Sequence, residues 1–138
     1  MTEKKRILWV EDEVGTIKGT VRSARRRDCD VMIAESTAEA VNLLKDEEFD
    51  LLIVDFRIPK DSGSIPIKGE GINLIKSVLN QCKNKEYLKK RVLLLTAQLA
   101  SYRKESLLGS DDCFEVMEKP GSHLKVLNWI KKAGNRVE

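Results

Sequence analysis

Two short segments of the chain, Leu51–Val54 and Val92–Leu95, contain only aliphatic residues. Strands that are buried on both faces have this composition, and such strands belong to parallel sheets that helices cover on both sides. Three more segments are short and apolar or nearly so, namely Ile7–Val10, Val31–Ala34 and Phe114–Met117. The sequence therefore predicts five strands, two of which are buried on both faces.

Amphipathic segments lie between the apolar ones. Their apolar residues recur every three or four positions, which is typical of a helix with one buried face. The predicted buried stripes are Val14, Ile17, Val21 and Ala24, then Thr37, Ala40, Val41 and Leu44, then Ile72, Ile75, Val78, Leu79 and Cys82, and finally Leu124, Leu127, Ile130 and Ala133. Ser36 and Glu39 match a capping box, and Ser122 is a candidate N-cap. The segment Leu99–Leu108 has a weaker pattern and predicts a short helix.

The regular alternation of strands and helices predicts an α/β fold. Repeated strand–helix units with right-handed crossovers form a parallel sheet with helices on both faces. We find no linker between the units, and only residues 135–138 follow the last predicted helix. We therefore expect residues 1–138 to form a single domain without a separate output domain.

The amino-acid composition restricts the class of protein further. Of the 138 residues 34% are charged, and the formal net charge is +3. No apolar run approaches the roughly 20 residues of a membrane span, and the N-terminal apolar segment is too short for a signal peptide, so we expect a cytoplasmic protein without a membrane partner. Nucleic-acid binding is disfavoured, because no aromatic residues interleave with the arginines of the basic runs Arg25–Arg27 and Lys89–Arg91. Three cysteines without C-x-x-C spacing and a single histidine argue against a disulfide framework or a structural metal site.

Polar residues stand at the carboxyl ends of four predicted strands: Glu11–Glu13, Asp55, Thr96 and Lys119. The carboxyl ends of parallel strands meet at one edge of the sheet, where ligands bind in this kind of fold. Carboxylates that lie close together repel one another, and a hard cation with oxygen ligands such as Mg²⁺ relieves that repulsion. A carboxylate can also attack phosphorus, and phosphoryl transfer needs mainly positioning and charge neutralisation. Mg²⁺, an ammonium and a hydroxyl together supply both.

These segments resemble the receiver domain of two-component response regulators, of the flavodoxin-like, chemotaxis-regulator type. The matching pieces are ILWVED, LLIVDFRIP, LLLTA and EKP, and they extend over nearly the whole chain. The resemblance implies a five-stranded parallel sheet in the order 2-1-3-4-5.

The resemblance also implies a role for each residue at the strand ends. Asp55 would accept the phosphoryl group, Thr96 would bond a phosphoryl oxygen, and Lys119 would pair with the phosphate. Mg²⁺ would be held by Glu11, Asp12, Asp55 and the backbone carbonyl of Arg57.

A receiver domain of this kind would work as a switch in a two-component phosphorelay, and not as an enzyme with a separate substrate. The phosphodonor would be a phosphohistidine on a sensor histidine kinase or a phosphotransfer protein. Phosphorylation, which the domain itself assists, would reshape the surface of the fourth helix, fifth strand and fifth helix, and an unidentified downstream protein would recognise that surface.

The sequence departs from the family pattern at three places. Val116 stands where family members usually carry Tyr or Phe. The polar segment Lys60–Glu70 is longer than usual. We expect it to form an exposed loop beside the predicted phosphorylation site and to help to choose the partner. Arg57 and Gln98 stand at positions expected to border the phosphoryl group.

Two other functions remain open at this point. A pseudo-receiver would keep the fold and bind a partner without phosphate; Val116 and the long segment favour it mildly, whereas the retained Asp12, Asp55, Thr96 and Lys119 argue against it. A small phosphatase or phosphotransferase would use Asp55 as a turnover nucleophile and would need a second acid, for which Asp61 is a candidate.

Overall fold

A computed structural model of the protein describes residues 4–81, 91–97, 115–119 and 123–134. Strands and helices alternate over residues 5–55, as the apolar and amphipathic segments predicted. The elements are β1 (Lys5–Val10), a 3₁₀ turn (Val14–Thr16), α1 (Lys18–Arg26), β2 (Cys29–Ala34), α2 (Thr37–Asp46), β3 (Leu51–Asp55), β4 (Arg57–Ile58), β5 (Ile67–Lys68), α3 (Glu70–Gln81), β6 (Val92–Thr96), β7 (Glu115–Glu118) and α4 (His123–Gly134).

The main sheet has five strands in the order β2-β1-β3-β6-β7. All four neighbouring pairs are parallel. Without the two short strands β4 and β5, this is the predicted order 2-1-3-4-5, so the fold prediction is confirmed.

Two apolar cores cover the two faces of the sheet. Residues alternate between them along each strand, because successive side chains of a strand point to opposite faces. In β1, Leu8 and Val10 join the core under α2 and α3, whereas Ile7 and Trp9 join the core under α1 and α4. This double burial explains why the central strands are continuously apolar.

The described residues of the predicted helix stripes are buried or half-buried except Leu124 in α4, and Val14 lies in the 3₁₀ turn before α1. Ile17, Val21 and Ala24 are buried as expected. Leu124, however, is 68% exposed, and the prediction of its burial is wrong. The helix begins at His123, and its buried face is centred on Val126, Leu127, Trp129, Ile130 and Ala133, so Leu124 lies in the first turn on the solvent side.

Polar contacts hold α2 and α4 in place. The Ser36 hydroxyl accepts a hydrogen bond from the Glu39 N–H at 3.2 Å, as the capping box predicted. The Glu39 carboxylate accepts a hydrogen bond from the N–H of Glu35, the residue before the N-cap. Arg91 is 1% exposed and donates to the carbonyl of Ala133 near the end of α4, although the sequence placed it in a surface basic run.

The segment after β3 is more ordered than a long loop. β4 and β5 pair antiparallel and form a two-stranded hairpin. Residues 60–65 are exposed as predicted, but Glu70 is buried and begins α3, and Ile67 and Lys68 form a strand. The prediction of a loop over Lys60–Glu70 is therefore corrected to a β-hairpin that leads into a helix.

Several predictions fall outside the described part of the chain. They are the helix at 99–108, the placement of Gln98 and Phe114, the cap at Ser122 and the burial of Leu79 and Cys82. Among the helices that the structure describes, none combines the length and apolar character required to cross a membrane.

Candidate functional site

The predicted site residues meet at the carboxyl edge of the main sheet. Asp55 is the last residue of β3 and Thr96 is the last residue of β6. Glu11 follows β1, where its N–H donates to the carbonyl of Ala34 at 2.9 Å. Lys119 follows β7, and its N–H donates to the carbonyl of Thr96 at 2.8 Å. The sheet's own backbone bonds therefore fix the spacing of these residues.

The side chain of Lys119 joins two carboxylates. Its Nζ lies 2.8 Å from Glu11 Oε1 and 3.2 Å from Asp55 Oδ1. Glu11 is fully buried and Asp55 is 8% exposed, whereas Asp12 is half-buried at the mouth of the site. One carboxylate oxygen from each of Glu11, Asp12 and Asp55 lies within 4.8 Å of the others. Two of the three clustered acids, Glu11 and Asp55, thus share one lysine.

This crowding changes the acidity of the groups. Burial, together with the charge of Asp55, raises the pKa of Glu11 from 4.5 to about 7. Burial also raises the pKa of Asp55, although Lys119 acts in the opposite direction. Burial opposes the charge on Lys119, but its hydrogen bond to Glu11 and the charge of Asp55 raise the pKa of its ammonium. The lysine therefore stays charged, while the carboxylates retain unrelieved repulsion.

The donor set suits a hard divalent cation. The three carboxylates offer only oxygen ligands, which Mg²⁺ prefers, and Mg²⁺ needs few of them because it keeps several waters. A cation among these oxygens would favour their ionised forms and so oppose the burial and the charge of Asp55, which raise the pKa of Glu11. The residues present therefore fit Mg²⁺.

An open crevice of about 600 Å³ lies over the acids. Asp12, Asp55, Arg57, Thr96 and Lys119, which the sequence singled out, all line it. Pro66 and Lys68 of the hairpin line it as well. The sequence predicted that the segment Lys60–Glu70 lies beside the site, and Lys68 is a residue of that segment that lines the crevice.

The backbone that carries Asp55 is held from three sides. The N–H of Phe56 donates to the carbonyl of Leu95 at 2.7 Å, and the N–H groups of Gly69 and Gly71 both donate to the carbonyl of Phe56. A Cβ on Gly71 would lie 2.1 Å from the carbonyl oxygen of Asp55. Only glycine permits this approach of α3 to β3, so Gly71 belongs to the framework of the site.

Val116 lies in β7, which β6 separates from β3 and its Asp55. It belongs to β7, pairs with Leu94 of β6, and packs half-buried against the core under α2 and α3. An aliphatic side chain therefore fills the position where the sequence comparison expected a mobile aromatic ring.

A doubly wound sheet with an acidic crevice at its carboxyl edge defines the class of protein, and comparison with known families identifies the family. The family model of the response regulator receiver domain matches residues 7–131. The chain therefore belongs to the response regulator receiver domain family. Receiver domains are signalling switches in two-component systems, they act by phosphorylation, and they typically bind Mg²⁺.

Individual relatives agree with this assignment. An uncharacterized protein of Sinorhizobium fredii, y4jS, is 34% identical over 114 residues, which are 80% of this chain and 26% of the relative. The chain thus spans about a quarter of the length of that relative. The non-phosphorylated receiver domain of HemR from Leptospira biflexa is 27% identical with a TM-score of 0.75, and 98% of each chain is covered.

A more distant structure supports the fold alone. The response regulator TrrA of Thermotoga maritima, solved in complex with Mg²⁺ and BeF, is 23% identical with a TM-score of 0.67, over 94% of this chain and 98% of that one.

Proposed function

We propose that this chain accepts a phosphoryl group on Asp55 in a Mg²⁺-dependent reaction and relays a signal through the resulting change of state. The observation that carries the proposal is the contact of Lys119 Nζ with Asp55 Oδ1 at 3.2 Å, at the base of an open crevice lined by acids and a hydroxyl. A nucleophilic carboxylate, a fixed ammonium and a cation-binding cluster are the parts that phosphoryl transfer to a carboxylate needs.

In the proposed reaction, an Asp55 carboxylate oxygen attacks phosphorus and forms an O–P bond. The P–N bond of a phosphohistidine donor breaks, and the histidine leaves as imidazole. Lys119 neutralises part of the charge on Asp55 and the incoming phosphoryl oxygens, and Thr96 bonds one of those oxygens. Mg²⁺, when bound, supplies the remaining charge neutralisation, and Glu11, Asp12, Asp55 and the carbonyl of Arg57 would hold it.

The proposed donor is a sensor histidine kinase or a phosphotransfer protein, because both present a phosphohistidine. The proposed output is a change in the surface that includes β7 and α4, which an unidentified downstream protein would read. The backbone bond between Lys119 and Thr96 links these elements to the crevice, so a change at Asp55 has a short route to that surface.

The pseudo-receiver is the second candidate, and Val116 is the observation that favours it. A packed aliphatic side chain at this position removes the aromatic movement that usually accompanies switching in the family. The phosphatase alternative receives no such support. Asp61 is not among the described residues that line the crevice, and its carbonyl accepts the Ser64 N–H at 3.0 Å in a tight turn.

Incubation with acetyl phosphate and Mg²⁺, followed by intact-mass measurement and site mapping, tests the proposal. We expect the wild type to gain one phosphoryl group on Asp55, and expect none in Asp55→Asn or in excess chelator. Asp61→Asn is the matched control, because it removes a nearby carboxylate that lies outside the crevice lining, and it should be phosphorylated normally. A wild type that gains no phosphate but still binds a partner would establish the pseudo-receiver instead.

A further inference from the structure

The hairpin places two cationic side chains on the face that meets the crevice. In its register Arg57 pairs with Lys68, and Ile58 pairs with Ile67. Residues directly opposite each other in an antiparallel pair project from the same face of the ribbon. Arg57 and Lys68 therefore share one face, and both line the crevice that contains Asp55.

The apolar pair on the other face fixes this orientation. Ile58 is fully buried in the core under α2 and α3, and Ile67, opposite it, is 41% exposed. A shift of one residue in the hairpin would exchange the two faces, moving Lys68 toward the core and an isoleucine toward the acids. The burial of Ile58 therefore selects the register that presents Lys68 to the crevice.

Backbone hydrogen bonds hold both arms of the hairpin. On one arm, the carbonyls of Pro59 and Lys60 accept the first N–H groups of α2 at 3.0 and 2.9 Å. On the other, the N–H groups of Gly69 and Gly71 donate to the carbonyl of Phe56 at 3.1 and 3.0 Å. The backbone directly after Lys68 is thus attached to Phe56, the residue that follows Asp55.

The hairpin brings two positive charges, those of Arg57 and Lys68, to directly opposite positions. The crevice that they line also contains Asp12, Glu13 and Asp55. A phosphoryl donor brings further negative charge to the same place, so the paired cations are suited to an anion that enters the crevice.

We propose that Lys68 is a donor-recruiting residue, which attracts the anionic phosphoryl group to the crevice from the hairpin side. The inference rests on the proposed phosphorylation of Asp55. Lys119 contacts Glu11 and Asp55 at the base of the site, and Lys68 lies on an exposed strand that lines the crevice. Lys68 therefore acts on the approach and binding of the donor, and Lys119 acts on the bond-forming step.

Kinetics with acetyl phosphate separate these roles. In Lys68→Gln we expect the KM for acetyl phosphate to rise roughly three- to tenfold, as for the loss of one partly screened charge contact, with kcat changed by less than about twofold. The rate should also depend less on ionic strength, because one attractive charge is gone. Lys68→Arg should restore the wild-type KM. Lys60→Gln is the matched control, a lysine of the same segment outside the crevice lining, and its KM should equal that of the wild type.

The outcomes distinguish this inference from the function on which it rests. A wild type that gains no phosphate overturns both proposals. A phosphorylated wild type with an unchanged KM in Lys68→Gln, or with an equal rise in Lys60→Gln, overturns the role of Lys68 alone. Urea denaturation supplies a further check. A Lys68→Gln variant that is less stable than the wild type, and whose stability and KM Lys68→Arg fails to restore, would show a structural role instead.

Discussion

Glu11 is the residue whose environment differs most from what its sequence neighbours suggest. Glu11, Asp12 and Glu13 form one acidic run, yet they are respectively buried, half-buried and exposed. The fully buried Glu11 carboxylate has Lys119 as an ion-pair partner and the charge of Asp55 nearby. The sequence predicted the acidic cluster from strand order, but the depth of each carboxylate depends on how the chain turns after β1, which composition does not reveal.

The first prediction is that the metal-free protein becomes less stable as the pH rises. The pKa of Glu11 is raised from 4.5 to about 7, and that of Asp55 is raised as well. A carboxyl group with a higher pKa in the folded state stabilises the fold fully below its unfolded value, and this contribution is lost as the pH rises through the folded value. The pKa of Lys119 is raised from 10.5, so its charge is constant in this range.

Urea denaturation in excess chelator measures this effect. We expect the free energy of unfolding to fall by about 1 to 3 kcal/mol between about pH 5 and about pH 8. Glu11→Gln should remove most of the fall, because it keeps the shape without the titrating group. Addition of Mg²⁺ should also reduce it, because the cation favours the ionised carboxylates. A wild type whose stability increases over this interval in chelator would contradict the assignment.

At the scale of elements, the junction of β3 and α3 depends on a glycine. The Cβ of an alanine at position 71 would lie 2.1 Å from the carbonyl oxygen of Asp55 and 3.0 Å from the Cα of Phe56. Both are backbone atoms that cannot rotate away. The start of α3 is therefore fixed against the peptide that carries the proposed phosphoacceptor.

The second prediction compares two helical glycines. Gly71→Ala should destabilise the protein by at least about 2 kcal/mol, because the helix must move away from β3, and it should slow phosphorylation of Asp55 by acetyl phosphate. Gly19→Ala, in α1, has nothing within 4 Å of the added Cβ and should be neutral or stabilising by roughly 0.5–1 kcal/mol. Thermal denaturation and phosphate uptake of both variants give the answer. Equal stability of the two variants would disprove the close approach.

The length and burial of each element explain whether the sequence predicted it. β3 and β6 are buried on both faces, so their unbroken apolar composition was sufficient. β4 and β5 have two residues each, which is too short for a strand period to appear. Arg91 was read as a surface residue because its partner, the carbonyl of Ala133, lies far away in sequence and is brought to it only by the packing of α4.

At the scale of the whole molecule, the two cores and the crevice are separate. The cores lie on opposite faces of the sheet, and the crevice occupies its carboxyl edge. The hairpin tip belongs to neither core, since residues 61–65 are exposed and Ile65 is 80% exposed. The exposed tip is therefore separate from the groups that stabilise the fold.

The third prediction is that the hairpin tip can be removed without unfolding the domain. Residues 61–65 are replaced by Asn-Gly, with Pro59, Lys60 and Lys68 retained. The free energy of unfolding should change by less than about 0.5 kcal/mol, because no buried group is lost and loop length costs little. Phosphorylation by acetyl phosphate should persist, whereas transfer from the phosphohistidine protein that serves the wild type should slow.

A single substitution serves as the control for this deletion. Ile65→Ser keeps the length of the tip and removes its exposed apolar group, so an equal slowing of protein-mediated transfer would assign the contact to Ile65. If both variants received phosphate from protein and small-molecule donors as the wild type does, the tip would have no part in partner choice.

Main-chain hydrogen bonds attach the hairpin at Pro59, Lys60, Gly69 and Gly71. Such bonds are indifferent to side-chain identity, so the exposed tip is free to change in sequence without loss of these bonds. If the third prediction holds, diversity in the tip would alter what the domain recognises and leave its chemistry intact. The same property makes residues 61–65 a suitable place to insert a foreign recognition peptide. A library of such insertions would test which new partners can act on a domain whose crevice is unchanged.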